Sequence, residues 1–190
     1  AQCQNYTQNP NQQAQRLHKL VHNRQGPNQI PKRGEVFIHQ VLERVCQLVQ
    51  VETGEQLRII RDYDPSIPPM LGDIDQLIQA FLNILRNGAR AAGSQGVLGI
   101  KTRVLRQCTI GNQRHRLVIA VEISDIGPGI PEEIQDQIFF PMVSGYSEGM
   151  GIGLSISQAL ISRHQGLIEF RSQPGETIFT VLLPLEQKDG

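Results

Sequence analysis

The chain has 190 residues, enough for one sizeable domain with a short appendage but not for two full domains. Its 18 basic and 18 acidic residues cancel, so no charge imbalance argues for nucleic acid or an anionic membrane surface, and neither is expected as a partner. Three dispersed cysteines (Cys3, Cys46, Cys108) make no metal or disulfide framework, and no stretch is long and apolar enough to span a bilayer or drive secretion, so the chain reads as cytoplasmic.

Residues 1–33 are rich in Gln, Asn and Pro and read as a polar lead-in, with one short helical stretch from Gln12 to His22 where Leu17, Leu20 and Val21 share a face. The domain proper is expected over 34–190. Apolar residues Val36, Phe37, Val41, Val45, Leu48 and Val49 recur at helical spacing from Gly34 to Gln50, and Gln56 to Arg61 then reads as a strand. The Pro-rich Asp64–Pro69 segment ends that strand. A longer helix is predicted from Asp73 to Ala92, with Ile74, Leu77, Ile78, Phe81, Leu82, Leu85 and Ala89 as its buried stripe.

Val97–Leu105 and Arg116–Ser124 read as two strands joined by a polar loop containing Gly111 and Asn112. Pro131–Ile138 is a short helix with proline in its first turn and Glu132 and Glu133 at its positive end. A loop from Phe140 to Met150, containing Pro141, Gly145, Ser147 and Gly149, is expected to form a mobile lid. A helix from about Gly151 to His164 and strands Leu167–Arg171 and Ile178–Leu183 complete the chain. The expected fold is a two-layer α/β sandwich, a mixed sheet covered on one face by three helices.

Three motifs carry chemistry. Asn83 and Asn87 lie four apart on one helix face, where paired asparagines cost helix propensity without adding to packing; their side-chain oxygens suit a hard cation such as Mg²⁺. Arg90, one turn on, is placed to meet a phosphate. Asp125 ends a strand and is followed by Gly127 and Gly129, which let a ligand approach the main chain, and its carboxylate can accept from an adenine amino group. Gly149, Gly151 and Gly153 directly precede a helix, whose first N–H groups suit phosphate. A dinucleotide fingerprint would need glycine in place of Leu154, and no P-loop sequence occurs. His164, at a helix end, reads as a capping residue rather than a catalyst, and His18, His22, His39 and His115 lack metal-site spacing.

These motifs, in this order, resemble the ATP site shared by sensor histidine kinases, DNA gyrase, Hsp90 and MutL, often called the Bergerat fold. From about Arg16 onward the sequence is similar to the nitrogen-regulation sensor histidine kinases of bacterial two-component systems. The resemblance rests on Arg61–Pro68, Leu82–Asn87, Asp125–Pro131 and Phe140–Gly145. It implies that Asn87, with Asn83 beside it, binds Mg²⁺ and the phosphates. It also makes Asp125 the reader of adenine and Thr177 its neighbour, with Gly127, Gly129, Ile130, Gly149, Gly151, Gly153 and Leu154 around the nucleotide.

The resemblance further implies ATP-dependent phosphorylation of a histidine on the protein's own dimerisation domain. The phosphate then passes to a response-regulator aspartate in nitrogen-assimilation control, with a PII signal protein as a further partner. The acceptor box, His-Glu-x-x-Asn-Pro, does not occur in these residues, and Arg16–Val21 resembles the end of a dimerisation hairpin, so a piece of a longer kinase is expected. Tyr146, Glu148, Met150 and Gly88 depart from the usual residues. Two alternatives stay open: an anti-sigma-type serine kinase, and a nucleotide-binding module without catalysis.

Overall fold

The computed structural model describes residues 32–54, 56–141 and 153–185. The predicted helix at Gln12–His22 and the lid residues 142–150, including Gly149, lie outside them, as does Gly151. Eleven elements follow in order: β1 Gly34–Val36, α1 Ile38–Thr53, β2 Arg58–Asp62, β3 Met70–Gly72, α2 Ile74–Ala92, β4 Val97–Ile110, β5 Gln113–Asp125, α3 Glu132–Gln135, α4 Gly153–Arg163, β6 Leu167–Gln173 and β7 Glu176–Pro184. Five strands make a mixed sheet in the order β2-β4-β5-β7-β6, in which β2 runs parallel to β4 and the other pairs are antiparallel.

The helices lie on one face of this sheet. Val41, Leu42, Val45 and Val49 of α1, Leu77, Phe81, Ile84 and Leu85 of α2, and Leu160 and Ile161 of α4 share one buried cluster with Leu98, Ile100, Ile119, Val121, Ile123, Phe179, Val181 and Leu183 of the strands. These strand residues alternate along β4, β5 and β7, as a half-covered sheet requires. The expected sandwich is the observed one.

Two local expectations are corrected. The helix predicted from Gly34 begins at Ile38, because Gly34–Val36 instead pairs antiparallel with Met70–Gly72 in a small ribbon, Val36 opposite Met70. Three-residue strands are too short to show a period of two, so the helical spacing downstream absorbed them. The loop expected between Leu105 and Arg116 is mostly strand. Ile110 pairs with Gln113, leaving only Gly111 and Asn112 in the turn. Most residues from Arg106 to Arg116 are exposed, so no apolar alternation marks the pairing there.

Asp73 caps α2, its carboxylate accepting from the backbone N–H of Asp75 at 3.0 Å and of Gln76 at 3.2 Å. The α2–α4 packing is also fixed by polar ties. Buried His164 accepts at Nε2 from the Asp73 backbone N–H at 3.0 Å, and its Nδ1 lies 2.8 Å from the Leu160 carbonyl. That pattern requires the neutral tautomer with its proton on Nδ1. Ser157, fully buried on α4, donates to the Ala80 carbonyl of α2 at 2.8 Å.

Candidate nucleotide site

The face of the sheet under the helices is built in rows. Phe170, Phe179, Ile123 and Ile100 stand side by side across β6, β7, β5 and β4, an apolar row under the helices. One step toward the sheet end the row reads Ser172, Thr177, Asp125 and Leu98. Three adjacent polar residues thus stand where packing alone would place apolar ones. Asp125 is 4% and Thr177 3% exposed, so neither is a solvated surface group.

Each polar side chain in this row is held by at least one hydrogen bond. Asp125 Oδ1 accepts from the Gly127 N–H at 2.9 Å, and Ser172 Oγ accepts from the Ile130 N–H at 2.8 Å while lying 2.7 Å from Thr177 Oγ1. Burial pushes the Asp125 carboxyl above its ordinary range, and the Gly127 bond partly offsets this.

The loop 126–130 is pressed between α2 and the β6–β7 turn. A Cβ on Gly127 would stand 2.6 Å from the Ala91 carbonyl oxygen and 2.8 Å from Asp125 Oδ1, so no other residue fits there without displacing α2 or the carboxylate. Gly129 has φ +88°, and a Cβ there would meet the Gln173 carbonyl oxygen at 2.7 Å. The Gly175 N–H donates to the Gly127 carbonyl at 3.0 Å, closing the loop onto the hairpin turn.

The carboxyl-terminal half of α2 roofs this corner. A Cβ on Gly88 would lie 3.7 Å from Asp125 Oδ2, which puts the helix backbone directly over the carboxylate. Asn87 is the preceding residue, half-buried, and Arg90 is exposed on the last turn. Asn83, one turn earlier, donates from Nδ2 to the Gly153 carbonyl at 3.2 Å, bringing the start of α4 beside α2. Leu154 and Ile130 are partly buried and pack against the main core.

The structure therefore brings Asn83, Asp125, Gly127, Gly129, Ile130, Gly153 and Thr177 together, with Asn87 and Arg90 on the adjoining helix turn; Gly149 and Gly151 lie outside the described residues. Sequence reasoning missed Ser172 and Ser157, and noted Gly88 only as a departure from the usual residue. For Ser172 a signal existed: it follows Ile168 and Phe170 at alternate positions of β6, so it falls on the covered face where a serine needs a reason.

Among the described residues no three His, Cys, Asp or Glu side chains cluster into a preformed metal site. The asparagine pair fits a hard cation of the Mg²⁺ type, which keeps its waters and takes one or two protein oxygens plus those of a phosphorylated ligand. With Nδ2 of Asn83 engaged by Gly153, its Oδ1 is the atom left to serve such an ion.

Residues 72–187 match the family of histidine kinase-, DNA gyrase B-, and HSP90-like ATPases, and the chain belongs to that family. It is 48% identical to the sensory histidine kinase/phosphatase NtrB of Vibrio alginolyticus over 92% of its own length and 50% of that protein. It is 45% identical to NtrB of Escherichia coli O157:H7, covering 96% of this chain and 52% of that one. The chain thus spans about half the length of the curated relatives it matches. Among solved structures, the mycobacterial sensor histidine kinase MprB superposes with a TM-score of 0.66 at 22% identity, over 84% of this chain and all of that one, a likeness of fold. No helix of the described residues is long and apolar enough to cross a membrane.

Proposed function

We propose that this chain is the ATP-binding catalytic unit of a sensor histidine kinase of the nitrogen-regulation branch. The observation that carries the reading is the polar row Ser172–Thr177–Asp125, its last two members buried, roofed by the asparagine-bearing turn of α2. An apolar sheet interrupted at one end by acceptors, with backbone laid bare by glycines, suits a flat base with an amino group and a phosphate tail. The names and identity of its relatives support the kinase class.

In this reading the adenine amino group donates to Asp125, and the phosphates extend past Asn87 and Arg90 toward the N-terminus of α4, where backbone N–H groups face an anion. Mg²⁺, held by Asn87 with Asn83 beside it, would neutralise charge on the phosphates. A histidine nitrogen on the dimerisation domain attacks the γ-phosphorus, the bond to the β–γ bridging oxygen breaks, and ADP leaves. Asn83 has no basic group to activate water, which favours transfer to a protein nucleophile over hydrolysis. The histidine's phosphate then passes to a response-regulator aspartate, with a PII-type protein acting on the kinase.

The test is calorimetric titration with ADP, with and without Mg²⁺, followed by labelled ATP with a separately supplied acceptor hairpin. The reading expects Mg²⁺-dependent binding and acid-labile label on the hairpin histidine. An absence of nucleotide binding at millimolar ligand overturns it. Binding without any transfer would favour a regulatory nucleotide module, and acid-stable label on serine an anti-sigma-type serine kinase.

A further inference from the structure

Ser172 is the member of the polar row that the sequence did not single out, and it touches both the glycine loop and Thr177. Its Oγ accepts from the Ile130 N–H at 2.8 Å, so one lone pair is committed to the glycine loop. The same oxygen lies 2.7 Å from Thr177 Oγ1. Thr177 is the register partner of Ser172 on one side and of Asp125 on the other. Ser172 Oγ can accept from both the Ile130 N–H and the Thr177 hydroxyl, and with Thr177 as the donor its single hydrogen is committed to Ser172 and its oxygen is left an acceptor.

We infer that Ser172 is a positioning residue that sets base selectivity by holding the Thr177 hydroxyl in one orientation beside the Asp125 carboxylate. The inference rests on the nucleotide site proposed above and deepens it. A carboxylate acceptor next to a hydroxyl whose hydrogen is committed to Ser172 presents two acceptors side by side. A base carrying an amino group at its 6-position matches that pattern, and one carrying a carbonyl there does not. With that hydrogen released, Thr177 adapts to either base and the discrimination shrinks.

The probes are ADP and inosine diphosphate, which differ only at the 6-position and the adjoining ring nitrogen, titrated into the whole 190-residue chain. Ser172→Ala is expected to lower the ADP preference about tenfold or less, mainly through tighter inosine diphosphate binding and weaker ADP binding. Ser172→Thr, which keeps the hydroxyl on a strand-favouring side chain, restores the preference. Thr177→Val leaves the Ile130 N–H bonded to Ser172 and is expected to lower the preference as well. In the Thr177→Val background, Ser172→Ala then changes it no further.

Equal losses of ADP and inosine diphosphate affinity in Ser172→Ala, or an additive effect in the double variant, reduce Ser172 to a structural role and overturn the inference. If Ser172→Ala does not fold, Thr177→Val decides alone, since an unchanged preference there overturns the inference too. Failure of the parent chain to bind either nucleotide instead removes the site itself, which separates that outcome from failure of this assignment.

Discussion

Asn83 Nδ2 donates to the Gly153 carbonyl at 3.2 Å, so a residue in the middle of α2 holds the first residue of α4. The same side chain is thus both a tie between helices and a candidate ligand, through two different atoms. Asn83→Ala is expected to cost about 1 kcal/mol of stability and to weaken Mg²⁺–ADP more than ADP alone. Asn83→Asp keeps an oxygen at the cation side but loses the donor to Gly153. Paired melting and titration curves check both; equal loss with and without Mg²⁺ would leave only the tie.

Asp125 supplies a pH test. Its carboxyl is raised by burial, so on acidification it takes up a proton at higher pH than an exposed aspartate would. The acceptor form is the one that receives the adenine amino group. ADP affinity should therefore fall as pH drops toward that raised value and recover above it. Asp125→Asn should bind at least tenfold more weakly and lose this Asp125-linked part of the pH dependence, while the part due to the phosphates remains. Calorimetry of both proteins across pH 4.5–8, about the range where these groups titrate, reads the difference.

Gly127 and Gly88 lie under and over Asp125 and should respond oppositely to the same added methyl. At Gly127 the new Cβ meets backbone oxygen at 2.6 Å, which cannot retreat without moving α2; Gly127→Ala should cost about 1–3 kcal/mol and most nucleotide affinity. At Gly88 the nearest atom is a Leu98 side-chain methyl at 3.1 Å, which can give way, and alanine recovers up to about 1 kcal/mol of helix propensity. Gly88→Ala should melt at or above the parent temperature and still bind ADP.

His164 makes stability depend on pH. Burial holds it below its ordinary value of 6.5, with the Leu160 carbonyl pulling the other way. The unfolded chain therefore binds more protons, and stability is complete above about 6.5 and is lost as pH falls toward the folded value. His39, also lowered by burial, adds a slope of the same sign. His164→Gln should cost about 1–3 kcal/mol at neutral pH and flatten part of that acid slope, measured as urea midpoints at pH values near 5 and 7.5.

Much of this site could be read from the chain because its parts break local rules. Asn83 and Asn87 interrupt an otherwise apolar helix stripe, and Gly127 and Gly129 follow a strand that ends on a buried acid. The asparagines and the strand-end acid add nothing to an apolar core, so together with the glycines they pointed to a ligand. Ser172 broke a rule more quietly, since a serine near the end of a short strand also suits a turn. The β1–β3 ribbon was illegible for a different reason: strands of three residues carry no period, and their pairing spans from Val36 to Met70. Thr102 shows the same limit. It is fully buried, and its hydroxyl is satisfied by His39 Nε2 of α1 at 2.8 Å and by the Asp64 N–H of the loop after β2 at 3.0 Å, partners that no spacing announces.

The polar row draws on three strands, while its roof comes from a helix that precedes all of them. Ser172 and Thr177 meet in a local hairpin, but β7 must also find its register on β5 before Asp125 joins them, and that distant encounter closes later in a folding reaction. Partly assembled chains would lack the pocket altogether. Bound nucleotide would then favour only the finished molecule, raising its melting temperature in proportion to the logarithm of ligand concentration, and so would serve as a gauge of completed folding.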